Sequence, residues 1–282
     1  MKNQNTVPMK PALLKIEQLR PFEGHPYKVQ DNEEMTVLSE SIRESGILSP
    51  LIVRPAGENE YEVISGHRRL YAARKAGLTE VPVLICTLDR DAAAIALVDS
   101  NLHREHILPS EKAFAYKLKM EALAHQGIAC GQVGHKSRDA ISDTDSGRQV
   151  QRYIRLTYLI PELLEKMDKE EIAFSVGVEL SYLDEYSQRD VLEQCEINDC
   201  TPSYSQAWRM HKTDREGLLT RDVIQFIMSE EKPNQRETVK IPTEKLRKFA
   251  PSADLRQLED FVLKACEHYR KYLIRQRNRD ER

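Results

Sequence analysis

Apolar positions along the first hundred residues follow two rhythms. In DNEEMTVLSESIRES, Met35, Leu38 and Ile42 recur at helical spacing, and Gly46 follows as a natural C-terminal stop. Leu51-Ile52-Val53 and Tyr61-Glu62-Val63-Ile64 flank the turn-forming PAGENE, which predicts a β-hairpin. An alanine-rich helix is expected from His67 to Lys75, closed by Gly77. A strand follows over Val81–Ile85, in which Pro82 marks an edge or a strand start. Asp91 to Asn101 returns to helical spacing, so this part of the chain reads as a small α+β unit.

Beyond Pro109, a favourable first helical residue, strand signals almost vanish. SEKAFAYKLKMEALAHQG, GRQVQRYIRLTYLI, PELLEKM, YSQRDVLEQC, SYSQAWRMHK and RDVIQFIMSE each carry a helical pattern. Trp208 reads as a core anchor with Ala207 and Met210, while Glu179, Asp184, Glu185 and Asp190 read as a solvated acidic face. The Gly/Ser/Asp-rich stretch 127–147 predicts short helices and turns. Leu255, Leu258, Val262, Ala265 and Tyr269 give the last segment a helical stripe. The resulting division is a flexible terminus at 1–10, an α+β domain at 11–107, an all-α domain at 108–230, a polar linker at 231–240 and a helical segment at 241–282.

Composition narrows the function. The 282 residues carry 42 Lys+Arg against 45 Asp+Glu, a net charge of −3, which excludes a uniformly basic nucleic-acid binder. Basicity is instead local: Ser146 to Tyr158 holds three arginines and no acid, and YRKYLIRQRNRDER at the end holds six basic residues against two acidic. The mean hydropathy is −0.58 and no apolar run is long enough to span a membrane. No signal-peptide pattern opens the chain, so a cytoplasmic, nucleoid- or plasmid-associated location and no membrane partner are expected. The five cysteines are scattered and form no CxxC pair, which argues against a disulfide framework or a zinc site.

Two stretches carry candidate chemistry. At Ser65-Gly66 a predicted strand runs directly into a helix with Arg68 and Arg69 in its first turn. Free N–H groups and the dipole at a helix start attract anions, Gly66 lets the backbone approach closely, and the two guanidinium forks suit phosphate. Basic residues there are disfavoured by the dipole unless an anion sits among them; the plainer alternative is pairing with acidic neighbours. Farther along, Asn101, Arg104 and Glu105 cluster between two predicted helices, where Asn101 can reach a sugar or phosphate and Arg104 adds positive charge.

Taken together, Gly66-His67-Arg68-Arg69, then Asn101-Leu102-His103-Arg104-Glu105 and Pro109, resemble the ParB family of partition proteins, whose boxes run GERR and ENxQR…L.P. SESIRESGILSPLIVRP (39–55) also looks like that family's SI.E.G...P..VR segment. The resemblance implies a ParB/sulfiredoxin-like α+β domain that binds CTP, followed by an all-α helix-turn-helix domain and a short helical C-terminal segment. By motif, the nucleotide falls to Gly66, His67, Arg68, Arg69, Asn101 and Arg104. The family's GERR glutamate is His67 here, and the glutamate before the asparagine is Ser100. Both positions are tied to Mg²⁺ and hydrolysis in the family, and neither replacement suits a hard cation, which speaks against CTP hydrolysis. No catalytic residue and no protein metal ligand is assigned. The sulfiredoxin relationship also raises an enzyme reading, against which Gly66 stands where that enzyme carries its cysteine.

The DNA-reading element is expected within 136–158: a first helix over 137–143, a turn at 144–147, and a second helix from Arg148 to Leu156. Val150, Ile154 and either Tyr153 or Leu156 face inward, leaving Ser146, Arg148, Gln149, Gln151, Arg152 and Arg155 as the DNA-binding set. Arg and Gln suit guanine and adenine edges; a basic solvated face is the competing interpretation. The resemblance implies a homodimer on a palindromic double-stranded site, with the C-terminal stripe as one route to dimerisation, and a ParA-type ATPase as partner. The use to which that machinery is put, segregation of a plasmid, mobile element or chromosome, or regulation of the nucleoid-occlusion or transcriptional kind, stays open.

Overall fold

The structure, a computed structural model, describes residues 8–102, 104, 106–126, 141–142, 145–230, 243–250 and 255–280. The chain divides into two compact units, Met1–Glu230 and Glu231–Arg282.

The first unit opens with a five-stranded mixed sheet: β1 (Met9–Lys15), β2 (Leu19–Pro21), β3 (Leu51–Gly57), β4 (Glu60–Ser65) and β5 (Glu80–Cys86), in the order β1-β5-β3-β4-β2. The β3–β4 hairpin forms as expected, with Asn59 in the left-handed region at its turn. β1 begins at Met9, inside the stretch expected to be a flexible terminus, because it pairs antiparallel with β5 from Met9↔Cys86 to Lys15↔Glu80. That pairing also overturns the edge reading of Pro82: β5 lies between β1 and β3. Its proline is tolerated because the β3 ladder starts only at Leu51↔Val83, so one flank of Pro82 is unpaired.

Alternation along the strands feeds two cores. Val63 packs with Leu51, Val53, Val81 and Val83 against Met35 and Ile42 of α1 (Glu33–Ser45) and Leu70 and Ala73 of α2 (His67–Ala76). Ile64, the next residue, joins the opposite face with Phe22, Tyr27 and Cys86, against Leu97 and Val98 of α3 (Arg90–Leu102) and Ala115 and Ala122 of α4 (Pro109–His125). The junction between β4 and α2 therefore stands where these two layers meet.

Helix α4 starts on Pro109, and Ala113 belongs to a different core from Ala115, so one helix serves both the sheet and the helices that follow. Those are α5 (Gly147–Leu156), α6 (Pro161–Asp168), α7 (Phe174–Leu180), α8 (Glu185–Ile197), α9 (Tyr204–Arg215) and α10 (Arg221–Ser229). Leu156, Leu163, Leu180, Val191, Met210 and Ile224 form their fully buried centre. Trp208 is not part of it. Ala207 and Met210 face the core, whereas Trp208, one helical step round, is 47% exposed. The expected first helix at 137–143 lies outside the described residues apart from Ile141 and Ser142, as do the linker at 231–240 and most of 127–147.

The second unit is built on α11 (Thr243–Arg247) and α12 (Leu255–Asp280). Val262, Ala265 and Tyr269 of the predicted stripe line an apolar groove with Leu246, Phe249 and Phe261.

Candidate nucleotide and nucleic-acid sites

Gly66 is the N-terminal residue that starts α2, with φ +105°. A side chain at this position would be strained by that backbone conformation, and a Cβ would lie 3.1 Å from Leu51 and 3.2 Å from an Arg69 nitrogen, so glycine is the residue that lets strand turn into helix here. No side chain caps the helix, which leaves its first N–H groups open.

The structure then shows what the neighbouring arginines are doing. Arg68 Nη2 donates to Glu34 Oε2 at 2.9 Å, reaching the first turn of α1. Arg69 donates through Nη1 to the carbonyls of Ser49 and Pro50, the latter at 2.9 Å, just beyond the other end of α1. Of the two alternatives raised by the sequence, pairing with an acidic neighbour holds for Arg68, while Arg69 pairs with backbone carbonyls and the helix start carries no side-chain cap. Arg68 and Arg104 line a common cleft of about 490 Å³ with Lys28, Asn32, Glu34 and Pro109. Asn101 is 6% exposed, and its amide nitrogen donates to the Leu97 carbonyl at 2.7 Å and to Ser100 Oγ at 3.3 Å. His103 and Glu105 lie outside the described residues.

His67 is the residue with the most unusual surroundings. Its ring stacks on His25 with centroids 3.6 Å apart. Burial, then the neighbouring His25 and Arg104, push its pKa down to about 3, opposed by a hydrogen bond to the Val63 backbone. His25 falls to about 4, again mainly through burial. Both rings are neutral at physiological pH. Nε2 of His67 and the Tyr27 hydroxyl are buried without a hydrogen-bond partner among the described residues, and Arg104 lies over the Tyr27 ring at 5.6 Å. His25 and Tyr27 were not singled out by the sequence: a lone histidine in PFEGHPY carries no spacing signal, and only the fold brings it to His67.

Cys86 is fully buried, its thiol donates to the Val53 carbonyl at 3.3 Å, and burial raises its pKa, so this cysteine offers no reactive thiolate.

A second cluster forms on α5. Ser146 caps it, accepting from Gln149 N at 3.3 Å, and Val150, Ile154 and Leu156 are buried while Tyr153 is half-buried, so both inward candidates contribute. Arg148 is exposed. Arg155 lies between two aromatic faces, 4.5 Å from Tyr158 and 4.2 Å from Tyr182, and donates to the Ser181 carbonyl at 2.7 Å. Arg152 lies over Phe174 at 4.9 Å and donates to Gln149 Oε1, and Gln151 rests against Met120 Sδ at 3.9 Å. Arg148, Gln151, Arg152 and Arg155 share a second cleft of about 490 Å³ with Tyr182, Tyr204, Trp208 and His211. His211 stacks flat on Tyr182 at 4.2 Å and meets Glu179 Oε2 at 2.7 Å. Glu179, expected on a solvated face, is thus a partner inside this cleft, drawn there by the histidine.

Residues 1–102 match the ParB N-terminal domain family. The chain is 39% identical over 160 residues to the chromosome-partitioning protein Spo0J of Thermus thermophilus, covering 56% of this chain and 55% of that protein. It is 38% identical over 119 residues to a nucleoid occlusion protein of Lysinibacillus sphaericus, covering 41% of this chain and 40% of that protein. The chain therefore spans about half the length of these relatives. Among solved structures it resembles the C-terminally truncated chromosome-partitioning protein ParB of Caulobacter crescentus complexed with CTP-γ-S, at 28% identity and a TM-score of 0.32, covering 62% of this chain and 93% of that one.

Proposed function

Because this chain carries a ParB N-terminal domain over residues 1–102 and is related in sequence to chromosome-partitioning proteins, we propose that it is a CTP-binding, sequence-specific DNA-binding protein acting in DNA segregation. The observation that carries the nucleotide half is the open helix start at Gly66, with Arg68 and Arg104 facing one cleft and Arg69 in the same first turn, held on the Pro50 carbonyl. Three guanidinium groups around uncapped N–H groups are the chemistry that a triphosphate requires. The nucleotide-binding set is Gly66, His67, Arg68, Arg69 and Arg104, with Asn101 fixing the end of α3 through its bond to Leu97.

The DNA half is assigned to α5 and the cleft beside it. Arg148, exposed at the first turn, is the base-reading candidate; Ser146, Gln149, Gln151, Arg152 and Arg155 complete the surface. A dimer on a palindromic site follows from the resemblance, with the apolar groove of the second unit available for self-association. Occupation of the nucleotide site biases the N-terminal domains toward engaging each other around the duplex, and a ParA-type ATPase is the matching partner. The relationship to a nucleoid occlusion protein supports a second reading, site-specific binding without segregation. Genome-wide footprints separate the two: spreading around one or a few sites marks segregation, isolated peaks mark the alternative.

Filter binding of labelled CTP to wild type and Arg69→Ala tests the nucleotide assignment. Retention by wild type, weakened by about tenfold or more in the variant, is expected from loss of charge-assisted hydrogen bonds. Equal retention by both, or none by either, overturns it.

A further inference from the structure

Mg²⁺ binds through oxygen ligands in near-octahedral geometry, chiefly carboxylates, phosphates and water. Four carboxylates line the cleft at Arg68 and Arg104; Glu170 is exposed, and the other three are already committed. Glu34 accepts from Arg68 at 2.9 Å. Glu111 accepts from the backbone N–H groups of Lys28 at 2.8 Å and Leu108 at 3.3 Å. Asp168 accepts from Ser110 N at 3.1 Å, Ser110 Oγ at 2.6 Å and Lys28 Nζ at 3.2 Å. Moving either of the last two onto a cation would strand N–H groups at the start of α4, a cost of about 1–3 kcal/mol for each buried donor left without a partner.

Nearer the helix start, the position next to Gly66 belongs to His67. Its ring is pinned by the Val63 backbone on one side and by His25 stacked at 3.6 Å on its face. Its buried Nε2 has no hydrogen-bond partner among the described residues, and the positive charge of Arg104 disfavours protonation of the ring. Ser100, at the other position tied to the cation by the resemblance, donates its hydroxyl to the Leu97 carbonyl at 2.9 Å. Among the described residues, no group of three His, Cys, Asp or Glu side chains converges anywhere on the chain. At His67 and Ser100, a pinned imidazole and a bonded hydroxyl do not fit Mg²⁺, which prefers carboxylate oxygen. The cleft does supply positive charge: Arg68, Arg104 and Lys28 line it.

We propose that this chain holds the triphosphate of its nucleotide with guanidinium and ammonium charge alone, without a divalent cation. The proposal rests on the nucleotide reading above and deepens it: the partner of the triphosphate is protein, and the bound species is the metal-free nucleotide. Arg68 and Arg69 supply the forks, Arg104 the opposing charge, and His67 puts a neutral ring where the resemblance places a carboxylate.

Equilibrium dialysis of labelled CTP against the full chain, in excess EDTA and in excess Mg²⁺, tests it. Dissociation constants agreeing within about threefold are expected, since no ligand–metal bond is lost on chelation. Binding weakened by about tenfold or more in EDTA overturns the cation-free site while leaving the nucleotide reading intact. Retention in neither medium overturns both. His67→Glu supplies the converse: restoring a carboxylate beside the helix start is expected to make retention rise on adding Mg²⁺. If retention by His67→Glu and by wild type rises equally with Mg²⁺, the assignment of His67 as the excluding residue fails.

Discussion

The arginines of the two sites are held in different ways. At the start of α2, Arg68 and Arg69 are tied by hydrogen-bond acceptors, a carboxylate and two backbone carbonyls. On α5, Arg152 and Arg155 each keep one acceptor, Gln149 Oε1 and the Ser181 carbonyl, and add aromatic faces, those of Phe174, Tyr158 and Tyr182. An acceptor occupies the N–H edge that a phosphate would use, so the incoming anion must displace it. A π face supports the guanidinium from above or below and leaves most of its N–H edge free. On the proposed reading, an anion at α2 would have to displace acceptors only, whereas the guanidinium planes of α5 keep their aromatic support whatever their N–H edges bind.

This contrast can be broken by experiment. The largest effect is expected from Arg148→Ala, which removes the exposed arginine of α5 and should weaken specific DNA binding by about tenfold or more in electrophoretic shift at fixed salt, while CTP retention stays unchanged. Smaller effects of opposite sign should separate the two kinds of support. Tyr182→Leu, which strips one face from Arg155, should lower DNA affinity several-fold. Glu34→Gln, which removes a built-in competitor of the nucleotide, should raise CTP affinity by up to about fivefold, because an exposed ion pair is worth little. A fall in CTP affinity on Glu34→Gln would mean that Arg68 needs its carboxylate for orientation.

The smallest expected effect is on stability against pH. His25 and His67 are held at about 4 and about 3 in the folded chain, against an ordinary value of 6.5. Between those values the unfolded chain binds protons that the folded chain does not, so stability is complete above pH 6.5 and declines as pH falls toward 4. Thermal unfolding should shift down by several degrees across that window, and His67→Gln should flatten the slope without removing it, since His25 still titrates.

Much of this was legible in the sequence where the deciding contacts are local. Val150 and Ile154 at i,i+4, with Arg152 between them and Arg148 and Arg155 on either side, defined α5, and Gly66 before two arginines marked the helix start. What escaped depended on distant partners. β1 exists because β5 pairs with it, and Pro82 sits inside the sheet because of where a third strand begins. α7 is only Phe174–Leu180, too short to show a period, yet it supplies the ring under Arg152. Trp208 looked like core because it is large and apolar, while the helix turns it outward beside Lys212, whose ammonium lies 5.7 Å over the ring. The six residues proposed for DNA differ in freedom for the same reason: their sequence neighbours say nothing about Tyr182 or Met120.

The carbonyls of Ser49 and Pro50 give the nucleotide site a threshold. A ligand offering a single oxygen to Arg69 replaces one acceptor with another and gains little. On the proposed reading, a chain of phosphates that engages Arg68, Arg69 and the open N–H groups together would replace several at once, so selection for triphosphate over inorganic phosphate would come from the number of grips. The same exchange would let go of both ends of α1, at Glu34 and at the loop before β3, so a bound triphosphate would register as freedom in a helix it does not touch.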